Sequence, residues 1–152
     1  MYVCRYAYDL ALDGSVEKRE DVNMSKLVMV IDDSVTVRKI IETSLKREGI
    51  ESVSYEDGVE ALRALSERRH RPPDLVILDI NLPKMDGYTV ARYLKTKHQF
   101  NNTVIVMLST RDGVIDRIKG RLVGAKDYIT KPFKTQEIMS VIRSYLGAPS
   151  LS

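Results

Sequence analysis

The 152-residue sequence holds a single cysteine, Cys4, so no intrachain disulfide can form. That fits a reducing, cytoplasmic setting. No apolar run approaches the roughly 20 residues that a membrane-spanning helix requires. The longest, Leu27–Ile31, Leu75–Leu78 and Val104–Leu108, are strand-length. Residues 1–13 have no apolar stretch of the kind a signal peptide needs, and they carry Arg5 and Asp9. Charge of one sign is also scarce: 24 basic and 21 acidic residues leave a net charge of +3. That excess is too weak and too dispersed to point to nucleic acid. The dense basic run Arg68–Arg71 reads as a solvated helix end, where cations also suit the helix dipole. No glycine-rich phosphate loop follows the first apolar strand, which argues against a nucleotide-binding protein. The histidines, His70 and His98, fall in helix ends or loops and read as surface residues.

What is present is an apolar content of 43% and a charged content of 30%, enough for one sizeable core under a soluble surface. Residues 1–25 lack a clear period and end in the charged run Glu17–Asp21. They read as a poorly ordered or loosely docked extension, in which Tyr2, Tyr6 and Tyr8 could form an extra strand or a partner contact. From Leu27 onward, strand and helix patterns alternate. Leu27–Ile31 is a continuous apolar run, as a strand covered on both faces requires. Ser34 is placed to cap a helix running to about Glu48, with Val37, Ile40, Ile41 and Leu45 inward and Gly49 as its stop. Ser52–Tyr55 reads as an edge strand. Asp57 opens a helix with Val59, Leu62 and Leu65 inward. Leu75–Leu78 and Val104–Leu108 are buried strands. Between them a helix beginning near Gly87 carries Tyr88, Ala91 and Leu94 on one stripe. Val114–Leu122 reads as a short helix broken near Gly120 and Gly124, and Tyr128-Ile129 as a short fifth strand. The last helix places Ile138, Val141, Ile142, Tyr145 and Leu146 on one face. Residues 148–152 are a tail.

Five successive strand–helix units predict an α/β, doubly wound parallel sheet of the flavodoxin-like (βα)5 kind, strand order 2-1-3-4-5. In such folds ligands sit beyond the carboxyl ends of the strands. The chemically useful residues fall there. Asp32 and Asp33 follow the first strand, Asp79 ends the third, Ser109 ends the fourth, and Lys131 follows the fifth. A lone aspartate after a strand is usually a cap or turn former, and a lone Ser or Lys there means little. Jointly they carry weight, because topology sends all five to one rim independently of their chemistry. Carboxylates held close repel one another and call for a cation. A hard divalent ion such as Mg²⁺, with oxygen ligands, retained waters and a phosphate to complete its shell, suits them. The remaining groups suit phosphoryl transfer: an ionised carboxylate as nucleophile, with an ammonium and a hydroxyl toward the transferred group.

These residues resemble the receiver domain of response regulators. The resemblance rests on Val30-Ile31-Asp32-Asp33-Ser34, the segment Leu78–Gly87, the strand end Ser109-Thr110, and the segment Gly124–Phe133. It covers about residues 26–147. It implies that Asp79 is the phosphoacceptor. Asp33 and Asp79 would ligate Mg²⁺ through side chains, Asn81 through its backbone carbonyl, and Asp32 mainly through water. Lys131 would bind the phosphoryl group, and the Lys131–Pro132 peptide would be cis. Ser109 and Tyr128 would form the switch, and Asn81 and Arg111 would tune the lifetime of the acyl phosphate. The partners implied are a sensor histidine kinase and a downstream protein reached through the fourth helix, fifth strand and fifth helix. The chain would act as a stand-alone monomer or weak dimer, without direct nucleic-acid contact or membrane insertion, and catalyse only its own phosphorylation and dephosphorylation. Arg111-Asp112-Gly113 and Lys119–Ala125 look similar to receivers of twitching and phototaxis chemosensory systems.

Two alternatives stay open at the sequence level. A haloacid-dehalogenase-type phosphohydrolase also uses a strand-end Asp, a Ser or Thr, then a Lys. It wants an acid two residues after the nucleophile, where this chain has Asn81, and acidic metal ligands downstream of the lysine, where only Glu137 lies. A pseudo-receiver that is never phosphorylated would be a pure interaction module, yet all the acceptor residues are in place.

Overall fold

The computed structural model describes residues 6–10, 16–20, 26–110 and 113–147. Two strands, β1 (Tyr6–Leu10) and β2 (Val16–Glu20), pair antiparallel as a sheet of their own, with Tyr6 opposite Glu20. The extra strand anticipated around Tyr6 and Tyr8 is thus part of a hairpin, while Tyr2 lies outside the described residues.

The main body alternates strictly. In chain order it comprises β3 (Leu27–Ile31), α1 (Val35–Arg47), β4 (Glu51–Tyr55), α2 (Gly58–Ser66), β5 (Leu75–Asp79), α3 (Gly87–Thr96), β6 (Val104–Ser109), α4 (Val114–Leu122), β7 (Ala125–Thr130) and α5 (Thr135–Leu146). The sheet runs β4-β3-β5-β6-β7, all parallel. Counted by unit, that is the order 2-1-3-4-5, with β4 at an edge as its weak pattern predicts.

The continuous apolar strands are explained by what covers them. Side chains alternate across a strand, so a strand buried on both faces must be apolar at every position. Val28, Val30, Leu75, Ile77, Val106 and Leu108 face one layer, where Ile41 and Leu45 of α1 meet Ile138, Met139 and Ile142 of α5. Met29, Ile31, Val76, Leu78, Ile105 and Met107 face the other, against Ala61 and Leu65 of α2 and Val90, Ala91 and Leu94 of α3.

Caps set the helix starts. Ser34 accepts from the Val37 amide, Asp57 from the Glu60 amide and Asp86 from the Thr89 amide. Gly49, at φ 72°, turns the chain out of α1.

Several details differ from the sequence reading. Ile40 is 41% exposed, because α1 buries the stripe Ile41, Ser44 and Leu45 and Ile40 lies beside it. α2 turns Ala61, Ala64 and Leu65 fully inward and leaves Val59 and Leu62 half-buried; the small alanines let its backbone approach the sheet. α4 runs unbroken through Gly120, which is buried against the sheet beside Tyr128. β7 is six residues long rather than two, and its pairing with β6 shifts register between Ile105 and Val106.

Candidate functional site

The carboxyl ends of β3, β5, β6 and β7 meet at one rim. Asp79 is the last residue of β5 and pairs with Leu108. Ser109 ends β6 and pairs with Thr130, so the next residue, Lys131, leaves β7 beside it. The Lys131 amide donates to the Ser109 carbonyl at 2.7 Å, which ties the two strand ends together. The Lys131–Pro132 peptide is cis.

Carboxylate oxygens of Asp32, Asp33 and Asp79 lie within 4.8 Å of one another. Asp32 and Asp79 are buried, and Asp33 is exposed. The Lys131 ammonium crosses the crevice to both buried acids, donating to Asp32 Oδ2 at 2.7 Å and Asp79 Oδ2 at 3.2 Å. The other oxygen of each buried acid is held by a backbone amide. Ser34 N donates to Asp32 Oδ1 at 2.9 Å and Asn81 N to Asp79 Oδ1 at 3.1 Å. Asn81 therefore sits against the cluster through its backbone. Ser109 is buried at the end of its strand, and Thr110 beside it is exposed.

Burial pushes the Asp79 carboxyl above its usual range, and the Asp32 charge pushes it further; Lys131 and the Asn81 amide oppose both. Burial pulls the Lys131 ammonium down, but its hydrogen bonds and charge contacts with Asp32 and Asp79 outweigh this and hold it above the ordinary lysine range. Two like charges about 4 Å apart cost roughly 4 kcal/mol at an effective dielectric near 20. One ammonium cannot offset three carboxylates, so among the described residues the cluster keeps an excess of negative charge. The donor set fits a hard cation: oxygen ligands only, close enough for one small ion, with open space on the Asp33 side for waters.

Tyr128 sits half-buried on β7, opposite Met107 in register, with the Arg117 guanidinium 5.0 Å from its ring centroid. It is not in the carboxylate cluster. Arg111 lies outside the described residues. His70, read as surface, meets the Tyr55 hydroxyl at 3.3 Å on the edge strand, away from the rim.

Sequence reasoning assigned no role to three supporting residues, although Lys84 and Gly87 lie in the segment that carries the resemblance. Arg38, on the first turn of α1, donates from Nη1 to the Asp32 carbonyl at 2.6 Å. Gly87 opens α3 directly against the acceptor strand: a Cβ there would lie 2.5 Å from the Asp79 carbonyl oxygen, so α3 could not dock with any other residue at this place. Lys84, at φ 67°, reaches from the loop after Asp79 to the buried Asp57 at the start of α2, 3.3 Å away. None of the three leaves a periodic trace; each depends on reach or close approach in the folded chain.

Residues 28–143 match the model of the response regulator receiver domain. Protein PilG of Pseudomonas aeruginosa is 39% identical over 119 residues, spanning 78% of this chain and 86% of PilG. The probable transcriptional regulator ycf27 of Porphyridium aerugineum is 43% identical over 119 residues, 78% of this chain but 47% of that protein. The chain thus spans about half the length of the ycf27 relatives it matches. Among solved structures, chemotaxis protein CheY4 of Vibrio cholerae superposes with a TM-score of 0.73 at 28% identity, covering 80% of this chain and 99% of that one. The receiver domain of a sensor histidine kinase from Pseudomonas aeruginosa, which has a magnesium ion coordinated in its active-site cleft, gives 0.70 at 27% identity, covering 82% and 99%. On the match over residues 28–143, the chain belongs to the response regulator receiver domain family of two-component signalling, with a CheY-like fold.

Proposed function

We propose that residues 26–147 form a phosphorylation-driven switch that accepts a phosphoryl group on Asp79 from a sensor histidine kinase in the cytoplasm. The observation that carries this reading is the Lys131 ammonium bound to both buried acids, 2.7 Å from Asp32 and 3.2 Å from Asp79. A carboxylate oxygen of Asp79 forms the new P–O bond as the donor's P–N bond breaks, and the electron pair leaves with the imidazole. No general base is required, since the attacking carboxylate carries no proton. Asp33, Asp79 and the Asn81 carbonyl would hold Mg²⁺ directly, with Asp32 acting through water. Bound there, Mg²⁺ supplies positive charge to the oxygens of the transferring group. Lys131 exchanges its hold on Asp79 for the incoming phosphoryl oxygens, and the Ser109 hydroxyl donates to the same group.

Ser109 and Tyr128 then act as the switch. The hydroxyl moves toward the phosphoryl group and the half-buried tyrosine turns inward behind it, biasing the face of α4, β7 and α5 between two states. A downstream protein reads that face. Given the resemblance of Arg111-Asp112-Gly113 and Lys119–Ala125 to receivers of twitching and phototaxis chemosensory systems, a motility signalling pathway is the setting we infer.

Whole-protein mass measurement after exposure to acetyl phosphate tests the reading. The expected result is stoichiometric addition of one phosphoryl group that requires Mg²⁺ and is abolished by chelator. Multiple turnover of phosphate monoesters would instead favour the phosphohydrolase, and no addition at all would favour a pseudo-receiver.

A further inference from the structure

Residues 80–86 join the acceptor strand to α3, and the middle of this loop is fastened to another part of the molecule, the start of α2. The base of the loop closes on the sheet. The Ile80 amide donates to the Leu108 carbonyl at 3.0 Å, and the Gly87 amide donates to the Ile80 carbonyl at 2.9 Å. Farther out, Lys84 takes φ 67°, a left-handed conformation that a residue with a side chain holds where its surroundings fix it. The Lys84 ammonium meets Asp57 Oδ2 at 3.3 Å. The pair is lopsided: the lysine side chain is 65% exposed, the aspartate side chain 3%. Water serves a buried carboxylate poorly, and the other oxygen of Asp57 already accepts from the Glu60 amide as the cap of α2. Met85, the next residue of the loop, packs at the same place. A Cβ on Gly58 would lie 3.3 Å from the Met85 carbonyl oxygen and 2.6 Å from Val90 Cγ2, so the loop, α2 and α3 meet closely there. Asp57 is not one of the clustered carboxylates, Asp32, Asp33 and Asp79.

We infer that the Lys84–Asp57 pair is a latch that holds residues 80–86 in the shape that presents the Asn81 backbone to the carboxylate cluster, which makes Lys84 and Asp57 positioning residues for the metal. The Asn81 amide donates to Asp79 Oδ1 at 3.1 Å, so the loop backbone is already seated against the acceptor. The inference rests on the proposed function, in which the carbonyl of the same residue holds Mg²⁺, and deepens it. With the latch open, the loop samples other shapes, and apparent ion affinity falls with the fraction of chains in the competent one. A rival account has the two charges act through space alone. A cation near the site then opposes Mg²⁺ binding and an anion favours it. The two accounts differ in sign at Lys84. Removing it weakens Mg²⁺ binding if it is half of a latch and strengthens binding if it is merely a nearby charge.

The test uses the full chain and takes Mg²⁺ dissociation constants from thermal unfolding at increasing MgCl₂. Asp57→Asn removes the charge of the pair and leaves the helix start intact, because asparagine caps as well as aspartate. Lys84→Met removes the other partner. The expected result is that each substitution weakens Mg²⁺ binding about threefold or more. The double variant should lose no more than the weaker-binding single one, since either change opens the same latch. Lys84→Arg should stay within about twofold of the wild type. In the metal-free chain, amide hydrogen exchange of residues 80–86 should quicken about threefold or more in both single variants, with β5 unchanged. Tighter binding in Lys84→Met, additive losses in the double variant, or a wild-type affinity in both single variants overturns the inference. A wild-type chain that binds no Mg²⁺, while its loop loosens in both variants, keeps the latch and sinks the metal reading. No Mg²⁺ binding and no loosening sink both.

Discussion

Lys131 is the residue on which the rim depends. It stands between Asp32, fully buried, and Asp79, 4% exposed, and it is the cation that makes their proximity tolerable. Its raised pKa means that this contribution is fully present through neutral pH and is lost only as pH rises through the elevated lysine value. Lys131→Ala leaves two buried carboxylates facing each other and should cost about 3 kcal/mol in metal-free buffer. Chemical denaturation should show that loss, and saturating Mg²⁺ should recover part of it by supplying the missing charge; an undiminished stability would mean the pair is better solvated than the geometry implies. The five rim residues were legible in the sequence because strand ends are readable and parallel topology gathers them. Arg38 and Gly87 were not. One acts through the reach of a long side chain to a carbonyl, the other through the absence of a Cβ beside Asp79. Neither property has a spacing to detect.

At the scale of elements, the caps that begin the helices also tie the site to its surroundings. Asp57 caps α2 through the Glu60 amide at 2.8 Å and receives Lys84 from the loop beyond Asp79. Its carboxyl is held below the usual range, first by the Glu60 amide and then by Lys84, against the cost of burial. A lowered folded-state pKa gives stability that is present above the unfolded value and lost as pH falls through the folded one. Asp57→Ala should therefore cost about 1–2 kcal/mol at pH 7. Compared with the wild type by thermal unfolding, the gap should narrow as pH drops below about 4, toward the ordinary range of an aspartate. A gap independent of pH would assign the loss to packing alone. The strand and helix series was legible because two-sided burial demands uninterrupted apolar strands. The length of β7 and the continuity of α4 were not. Ala125–Thr130 includes Lys126 and Asp127, polar positions that an apolar-run criterion rejects, and Gly120 reads as a breaker where it serves as the helix's contact with the sheet.

For the molecule as a whole, folding brings the carboxylates together and stores their repulsion, so a cation that binds the folded chain must stabilise it. With Mg²⁺ at about 100 times its dissociation constant the gain is about 2.7 kcal/mol, or roughly 5–10 °C for a domain of this size. Calorimetry should show that upward shift, and Asp33→Asn should largely remove it; a shift that persists in the variant would place the ion elsewhere. The doubly wound order and the site at the carboxyl edge follow from alternation alone. The hairpin of β1 and β2 does not, because Val16–Glu20 is mostly charged and offers no alternating apolar face to read.

The most direct measurement is borohydride trapping of the acyl phosphate after treatment with acetyl phosphate and Mg²⁺, followed by peptide mapping. The account predicts that Asp79 alone is converted to homoserine and that Asp79→Asn yields no trapped residue. Conversion at Asp32 or Asp33, or trapping that survives in Asp79→Asn, would contradict it.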